Sequence, residues 1–239
     1  MRLQRYLAQA GLGARRRCEK LIRAGRVKVD GQTAQLGQTV VPGKSDVRVD
    51  GRRVAPVSER VVIVFNKPAG VLSACHRSRE QGPLVTELVR SEWRLFPCGR
   101  LDKDSEGLLI LTNDGDLAYR LTHPRFAKEK EYEVVLDRDC TETQVSQLVR
   151  GVELEDGLAC AKLAERISAS RLRVVLTQGR KRQLRRMLEA LGLGVRRLIR
   201  TRIGTIRLGR LGPGQWRRLR EEEIRKLTQQ RWGVQRSTP

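Results

Sequence analysis

The sequence predicts an α+β molecule in two parts, a small basic module of two helices and short strands followed by a larger domain whose mixed, mostly antiparallel sheet is flanked by helices. Three observations predict it. At 239 residues the chain is longer than one ordinary domain. Before residue 50 its apolar residues recur first at helical spacing and then in alternation. Beyond residue 60 strand-like and helix-like runs follow one another irregularly, without the regular alternation of a doubly wound fold.

Leu3, Leu7 and Ala10 lie on one face of a first helix, which the Gly11-Leu12-Gly13 break ends. Cys18, Leu21 and Ile22 repeat the pattern in a second helix, stopped by Gly25. Val27 and Val29, then Val47 and Val49, alternate with charged residues ahead of Asp30-Gly31 and Asp50-Gly51, two dipeptides that suit tight turns. Residues 1–50 therefore read as one module, and 51–60, with Arg52, Arg53, Pro56 and Ser58, as a linker. The second domain, 61–231, opens on Val61-Val62-Ile63-Val64-Phe65, a buried strand by its length and β-branching, which ends at Asn66-Lys67-Pro68-Ala69-Gly70. Further strands are expected at Leu108 to Thr112, Tyr132 to Leu136, Leu172 to Thr177 and Ile203 to Leu208. Helices are expected at Asp116 to Leu121, Thr141 to Val149, Arg182 to Leu191 and Glu221 to Gln230. A polar tail, 232–239, is expected to fray.

The charge selects a class of partner. Forty-nine Lys and Arg against 27 Asp and Glu give +22, an imbalance that favours a polyanion. In the first module Arg2, Arg5, Arg15, Arg16, Arg17, Lys20, Arg23, Arg26 and Lys28 are opposed before Asp30 by Glu19 alone. Solvated faces ordinarily mix signs, so this one reads as an RNA-docking surface. With only 4% aromatic residues a stacking platform on a sheet surface is not expected, and phosphate contacts must dominate. No stretch approaches the roughly 20 apolar residues of a membrane span, and the start of the chain lacks the apolar run of a signal peptide, so a cytosolic protein is expected. Cys18, Cys75, Cys98, Cys140 and Cys160 are scattered, without a C-x-x-C pair and with only His76 and His123 for company, which reads as free thiols rather than a zinc site.

Three segments carry candidate chemistry. Gly99-Arg100-Leu101-Asp102-Lys103-Asp104-Ser105-Glu106-Gly107 sets charges of both signs against the apolar run Leu108-Leu109-Ile110-Leu111, where a rigid strand would hold them toward a substrate. In Gln178 to Met187 and onward, Leu184, Met187, Leu188 and Leu191 fall on one helical face, and Arg182, Arg185, Arg186 and Glu189 on the other. That cationic stripe follows a glycine turn, at a helix N-terminus suited to phosphate or carboxylate. Lys128 to Val134 opens a strand with a lone Tyr132, whose ordinary fate would be core packing.

Residues 1 to 50, with R-L-Q-R-Y-L-A-Q-A-G-L-G-A-R-R-R-C-E-K-L-I-R-A-G-R-V-K-V-D-G, resemble the S4 RNA-binding domain, whose two helices bind structured RNA. Together with N-K-P-x-G, the motifs G-R-L-D-K-D-S-E-G-L-L-I-L-T-N-D-G, K-E-Y-E-V, Q-G-R-K-R-Q-L-R-R-M and L-G-P-G-Q-W-R-R-L resemble the RsuA and RluB/RluF branch of the pseudouridine synthases, from Arg2 to about Leu227. The resemblance implies isomerisation of a uridine in folded ribosomal RNA to 5-ribosyluracil, without cofactor or metal. A cytoplasmic monomer is expected. It implies Asp102 as the essential group, ionised, acting on the ribose C1′ or on the base as the glycosidic bond breaks. Tyr132 is then expected to pack against the target base and to assist proton removal at C5, and Arg185 to pair with Asp102, its fixed charge favouring the carboxylate. Arg100 is placed to fill the space left by the flipped nucleotide or to hold its phosphate. Lys67, Arg182 and Gln183 join Arg2, Arg5, Arg15, Arg16, Arg17, Lys20, Arg26 and Lys28 as expected RNA contacts. The substrate expected is a structured stem-loop of ribosomal RNA or a ribosomal precursor particle. Large-subunit RNA comes first, from the F-P-C-G-R-L-D-K-D-S-E-G-L and T-H-P-R-F-A-K-E-K-E-Y-E-V stretches, and small-subunit RNA second. Cys75 to Arg79 departs from the family pattern, which bears on the choice of nucleotide. Two other readings stay open: Asp102, Asp104, Asp114 and Asp116 as a Mg²⁺ cluster for RNA cleavage, although Asn113-Asp114-Gly115 reads as a turn and Asp116 as a helix cap, and a non-catalytic ribosome-assembly factor.

Overall fold

The structure, a computed structural model, describes residues 1–57, 59–77 and 80–229. It divides into two compact units, Met1–Val61 with Glu92–Arg94, and Val62–Ser91 with the chain from Leu95 onward. In the first unit helices α1 (Leu3–Gln9) and α2 (Arg15–Arg23) precede strands β1 (Val27–Val29), β2 (Gln32–Thr33), β3 (Val47–Val49) and β4 (Arg52–Arg53), which pair antiparallel in the order β2-β1-β3-β4. The helical spacing and the strand alternation converge: Leu3, Leu7, Cys18 and Ile22 share one core with Val27, Val29, Val47 and Val49. Both Asp-Gly turns form with left-handed pairs, Asp30 and Gly31 at φ +51° and +83°, Asp50 and Gly51 at +50° and +78°.

Arg52 and Arg53, expected in a linker, instead make β4. Tyr6 Oη donates to Val54 O at 3.1 Å and the Val57 N–H donates to Gln9 O at 3.1 Å, so the chain to Val57 belongs to the first unit. An edge strand of two exposed arginines has no apolar alternation to announce it.

The second unit is built on nine strands, β5 (Val62–Lys67), β6 (Phe96–Pro97), β7 (Glu106–Thr112), β8 (Lys130–Leu136), β9 (Leu163–Ser168), β10 (Arg171–Leu176), β11 (Val195–Ile203), β12 (Ile206–Arg207) and β13 (Trp216–Arg218). Its helices are α3 (Val85–Leu88), α4 (Gly115–Thr122), α5 (Glu142–Arg150), α6 (Gln183–Ala190) and α7 (Glu221–Gln229). The main path runs β13-β5-β7-β11-β8-β10-β9, with β6 on β7 and β12 on β11. Every pair is antiparallel except β7 with β11. Two apolar cores form: α5 and α6 pack with β8 and β10, burying Val145, Leu148, Leu184 and Met187, and α4 and α7 pack with β5 and β7, burying Leu117, Leu121, Ile224 and Leu227.

Two further expectations are corrected. The strand expected at Ile203 to Leu208 is a corner: β11 runs from Val195 to Ile203 and reverses at Gly204 into β12. Arginines at 196, 197, 200 and 202 hide β11 from a search for apolar alternation, because Arg200 occupies a buried position. The cap of α4 is Asp114, whose carboxylate accepts the N–H groups of Asp116 and Leu117 at 2.9 and 3.1 Å; Asp116 lies in the first turn. Strands β9 and β13 escaped notice because most of their residues are exposed. Ser58, Ser78, Arg79, Gln230, Arg231 and the expected tail lie outside the described residues. Among the described residues no helix is long and apolar enough to cross a membrane.

Candidate active site

A cleft of about 890 Å³ opens in the second unit, within the size range of small-molecule pockets. Its apolar lining comes from both cores, Leu176, Leu184 and Leu198 from one and Ile110, Leu121 and Ile203 from the other. Asp102, Tyr132 and Arg185, separated in sequence by tens of residues, all line it.

Asp102 reaches the cleft on a loop that is fixed from several sides. Ser73, buried, donates from Oγ to Leu101 O at 2.9 Å and accepts the Leu101 N–H at 3.1 Å, clamping the residue just before it. The Ser105 N–H donates to Asp102 O at 3.0 Å, and the Gly70 N–H to Lys103 O at 2.7 Å. Lys67 Nζ donates to the carbonyl oxygens of Pro68, Lys103 and Ser105 at 2.9, 3.3 and 2.7 Å. Gly107 then lets β7 meet β11: at φ +101° any Cβ there would stand 2.4 Å from Arg200 O. The Asp102 carboxylate is half-buried, and among the described residues it takes no hydrogen bond or ion pair.

Arg185 differs from expectation in its partner. Its Nε lies 3.4 Å from Asp104 Oδ2, and Nη2 donates to Asp104 O at 3.1 Å, so it is Asp104, not Asp102, that it pairs with. Asp104 also holds Arg182, at 3.1 Å, and so ties the loop to the start of α6 through two guanidinium groups. Asp104 leads Asp102 because it projects toward α6, whereas Asp102 faces the cleft; Asp102 still contributes to the field at Arg185. Burial lowers the pKa of Arg185 and the two carboxylates counter it. Tyr132 is half-buried against the α5–α6 core and stands opposite Arg200 in the β8–β11 pairing.

Two residues expected to touch RNA are enclosed. Lys67 is fully buried, and burial pushes its pKa down to about 8 against the pull of Asp104 and Glu106. It anchors the Asp102 loop rather than meeting a ligand. Gln183 is 2% exposed; its Oε1 accepts the Arg180 N–H at 3.2 Å. Arg100 is exposed on the cleft wall, as are Lys181 and Arg182. In the first unit Arg2, Arg15, Arg16, Arg17, Lys20, Arg26 and Lys28 are exposed, Arg26 bound to Asp50 at 2.5 Å, and Arg5 is half-buried.

Sequence reasoning missed Ser73, Lys130, Arg200 and a group of rings at the cleft rim. Tyr119 lies 4.7 Å from His123 and 5.8 Å from Phe126 between centroids, with the Arg125 guanidinium 4.6 Å over Phe126. His123 lines the cleft and Tyr119 is 44% exposed. The overall scarcity of aromatics concealed their gathering in one short stretch; the spacing Tyr119, His123, Phe126 was the available signal. Among the described residues no three His, Cys, Asp or Glu side chains group as a metal site needs, and Asp114, one of the four carboxylates considered for a cation, is engaged as a helix cap.

Residues 61–190 match the RNA pseudouridylate synthase family model, and residues 1–45 match the S4 domain. An uncharacterised RNA pseudouridine synthase of Aquifex aeolicus is 40% identical over 231 residues, 95% of this chain and 96% of the relative. A similar protein of Mycobacterium tuberculosis is 42% identical over 237 residues, covering 96% and 93%. The dual-specificity RNA pseudouridine synthase RluF of Escherichia coli is 34% identical over 226 residues, covering 94% and 77%. A crystal structure of a pseudouridylate synthase superposes with a TM-score of 0.68 at 27% identity, over 95% of this chain and 99% of the other.

Proposed function

The chain belongs to the RNA pseudouridine synthases and carries an S4 domain, and from that premise we propose that it isomerises a uridine of ribosomal RNA with Asp102 as the reactive carboxylate. The observation that carries the assignment is a half-buried, unpaired carboxylate at the wall of the cleft, on a loop fixed by Ser73 and Lys67. A carboxylate kept free of partners is available to the ribose or the base. Everting the base costs a few kcal/mol, least where it is already unpaired. Arg100, exposed beside Asp102, would fill the vacated space or hold the nucleotide's phosphate. Tyr132 would pack on the base, and the rings of Tyr119, His123 and Phe126 offer stacking to a neighbouring nucleotide. Arg182 and Arg185, crosslinked through Asp104, keep α6 against the loop.

The same reading puts the exposed arginines of α2 on RNA phosphates and the protein, as a monomer, in the cytoplasm with its substrate. Large-subunit RNA is proposed first, on the stretches from Phe96 to Leu108 and from Thr122 to Val134; the small subunit is the second candidate. The test is a map of pseudouridines in ribosomal RNA with and without the gene, alongside purified protein on unmodified transcripts of both subunits. One missing pseudouridine, restored by wild type and made in vitro, supports the proposal. An unchanged map with altered ribosome assembly contradicts it in favour of a binding factor, and magnesium-dependent RNA cleavage contradicts it in favour of a nuclease.

A further inference from the structure

Arg200 is 2% exposed, on β11 directly across from Tyr132. Its Nε donates to Leu108 O at 2.7 Å and Nη1 to Arg100 O at 3.3 Å. The remaining nitrogen, Nη2, is buried and has no hydrogen-bond partner, and among the described residues no carboxylate pairs with the group. A buried guanidinium with an idle donor is costly unless something supplies an acceptor. Arg200 lines the cleft, which is where an acceptor can arrive.

Lys130 adds a second cation to the same wall. It lies two residues before Tyr132 on β8, hence on the same face, and lines the cleft too. The single hydrogen bond of its Nζ among the described residues goes to Lys128 O at 3.3 Å. Burial, with the charge of Arg200 nearby, pulls its pKa down to about 8. Two cations that disfavour each other become favourable together when negative charge develops beside them.

The proposed reaction develops such charge. Converting uridine to its C5-linked isomer breaks N1–C1′ and forms C5–C1′. When the first bond breaks with both electrons on N1, the detached uracil is an anion whose charge is shared with O2 and O4, and C1′ is left electron-poor on the side of Asp102. After the base turns, C5 bonds to C1′, the C5 proton leaves and N1 takes one up, so that product and substrate are isomers. Resting on the function proposed above, we propose that Arg200 and Lys130 bind the detached uracil anion, Arg200 donating from Nη2 to one of its carbonyl oxygens. The burial of Arg200 favours the base over the RNA backbone, for which Arg100, Lys181 and Arg182 stand exposed at the surface.

The test uses full-length wild type, Arg200→Met, Arg200→Lys and Lys130→Met under single-turnover conditions with protein in saturating excess. Each is given ribosomal RNA carrying either uridine or 5-fluorouridine at the position the wild type modifies. Fluorine makes the base more acidic, so its anion needs less help. Arg200→Met is expected to slow loss of the N-linked uridine by about a hundredfold or more, as for removal of one donor to a developing anion, with RNA affinity within about threefold of wild type. On 5-fluorouridine the deficit should shrink to about tenfold or less, with Arg200→Lys intermediate and Lys130→Met shifted in the same direction. The ratio of the two rates does not depend on how much of a preparation folds, and Lys130→Met carries the test should Arg200→Met fail to fold. Equal deficits on both bases, or a loss confined to RNA affinity and its salt dependence, would overturn the proposal while leaving the synthase reading intact. A wild type that makes no pseudouridine on either subunit's RNA overturns both.

Discussion

Lys67 holds a charge where solvent does not reach it, because three carbonyl oxygens around the Asp102 loop need a donor. Lys67→Met leaves them without one and should lower unfolding free energy by about 1–3 kcal/mol, the cost of an unsatisfied buried group. The sign of its pH dependence follows from the lowered pKa: between about 8 and 10.5 the native lysine is neutral while the unfolded one is still protonated. Its contribution to stability therefore rises with pH across that window and is lost as pH falls through about 8. Denaturant melts from pH 7 to 10.5 should show wild type gaining on Lys67→Met; a constant or shrinking gap would contradict this. Ser73→Ala should reduce pseudouridine formation about tenfold to a hundredfold by loosening Leu101, with RNA affinity unchanged in a filter-binding assay. At this scale the family resemblance singled out Asp102, Tyr132 and Arg185, and the fold brings all three to the lining of one cleft. The pairing of Arg185 with Asp104 was not, since two carboxylates two residues apart in one loop differ only in where the folded loop aims them.

The elements around the cleft meet at the parallel pairing of β7 and β11, and Gly107 is what permits it. Gly107→Ala places a methyl against the Arg200 carbonyl in a left-handed backbone conformation, and should cost at least about 3 kcal/mol from strain and overlap together. A thermal melt within about 2 °C of wild type would show that the strands part without penalty. The runs Val61 to Phe65 and Leu108 to Thr112 were read as strands because both faces of β5 and β7 are buried, which leaves a continuous apolar signature. β11 was missed for the opposite reason, that its centre buries an arginine, and β4, β9 and β13 because exposed edges carry no burial pattern. Local spacing reports burial of apolar groups; it is silent where the sheet encloses charge.

Over the whole molecule the +22 charge is concentrated enough to read as function before any fold is known. Arg15, Arg16, Arg17 and Lys20 are exposed on α2, so replacing all four with Gln should leave the fold intact. RNA binding should weaken and its logarithmic salt slope should flatten by about 0.7–0.9 for each phosphate that is no longer neutralised; an unchanged slope would remove α2 from the RNA interface. The two-part organisation was read from the sequence with 51–60 as a linker and the second domain from 61; in the structure that stretch, with the two arginines of β4, falls in the first unit, which runs to Val61. The account rests finally on Asp102, whose carboxylate has a cleft before it and no partner among the described residues. The most direct measurement compares wild type with Asp102→Asn on unmodified large- and small-subunit transcripts, following pseudouridine at single-nucleotide resolution beside a thermal melt. The account predicts a single pseudouridine from wild type and a drop of at least about a hundredfold in Asp102→Asn, with a melting temperature within about 2 °C because the substitution breaks no hydrogen bond. Pseudouridine formed by Asp102→Asn at the wild-type rate would contradict it.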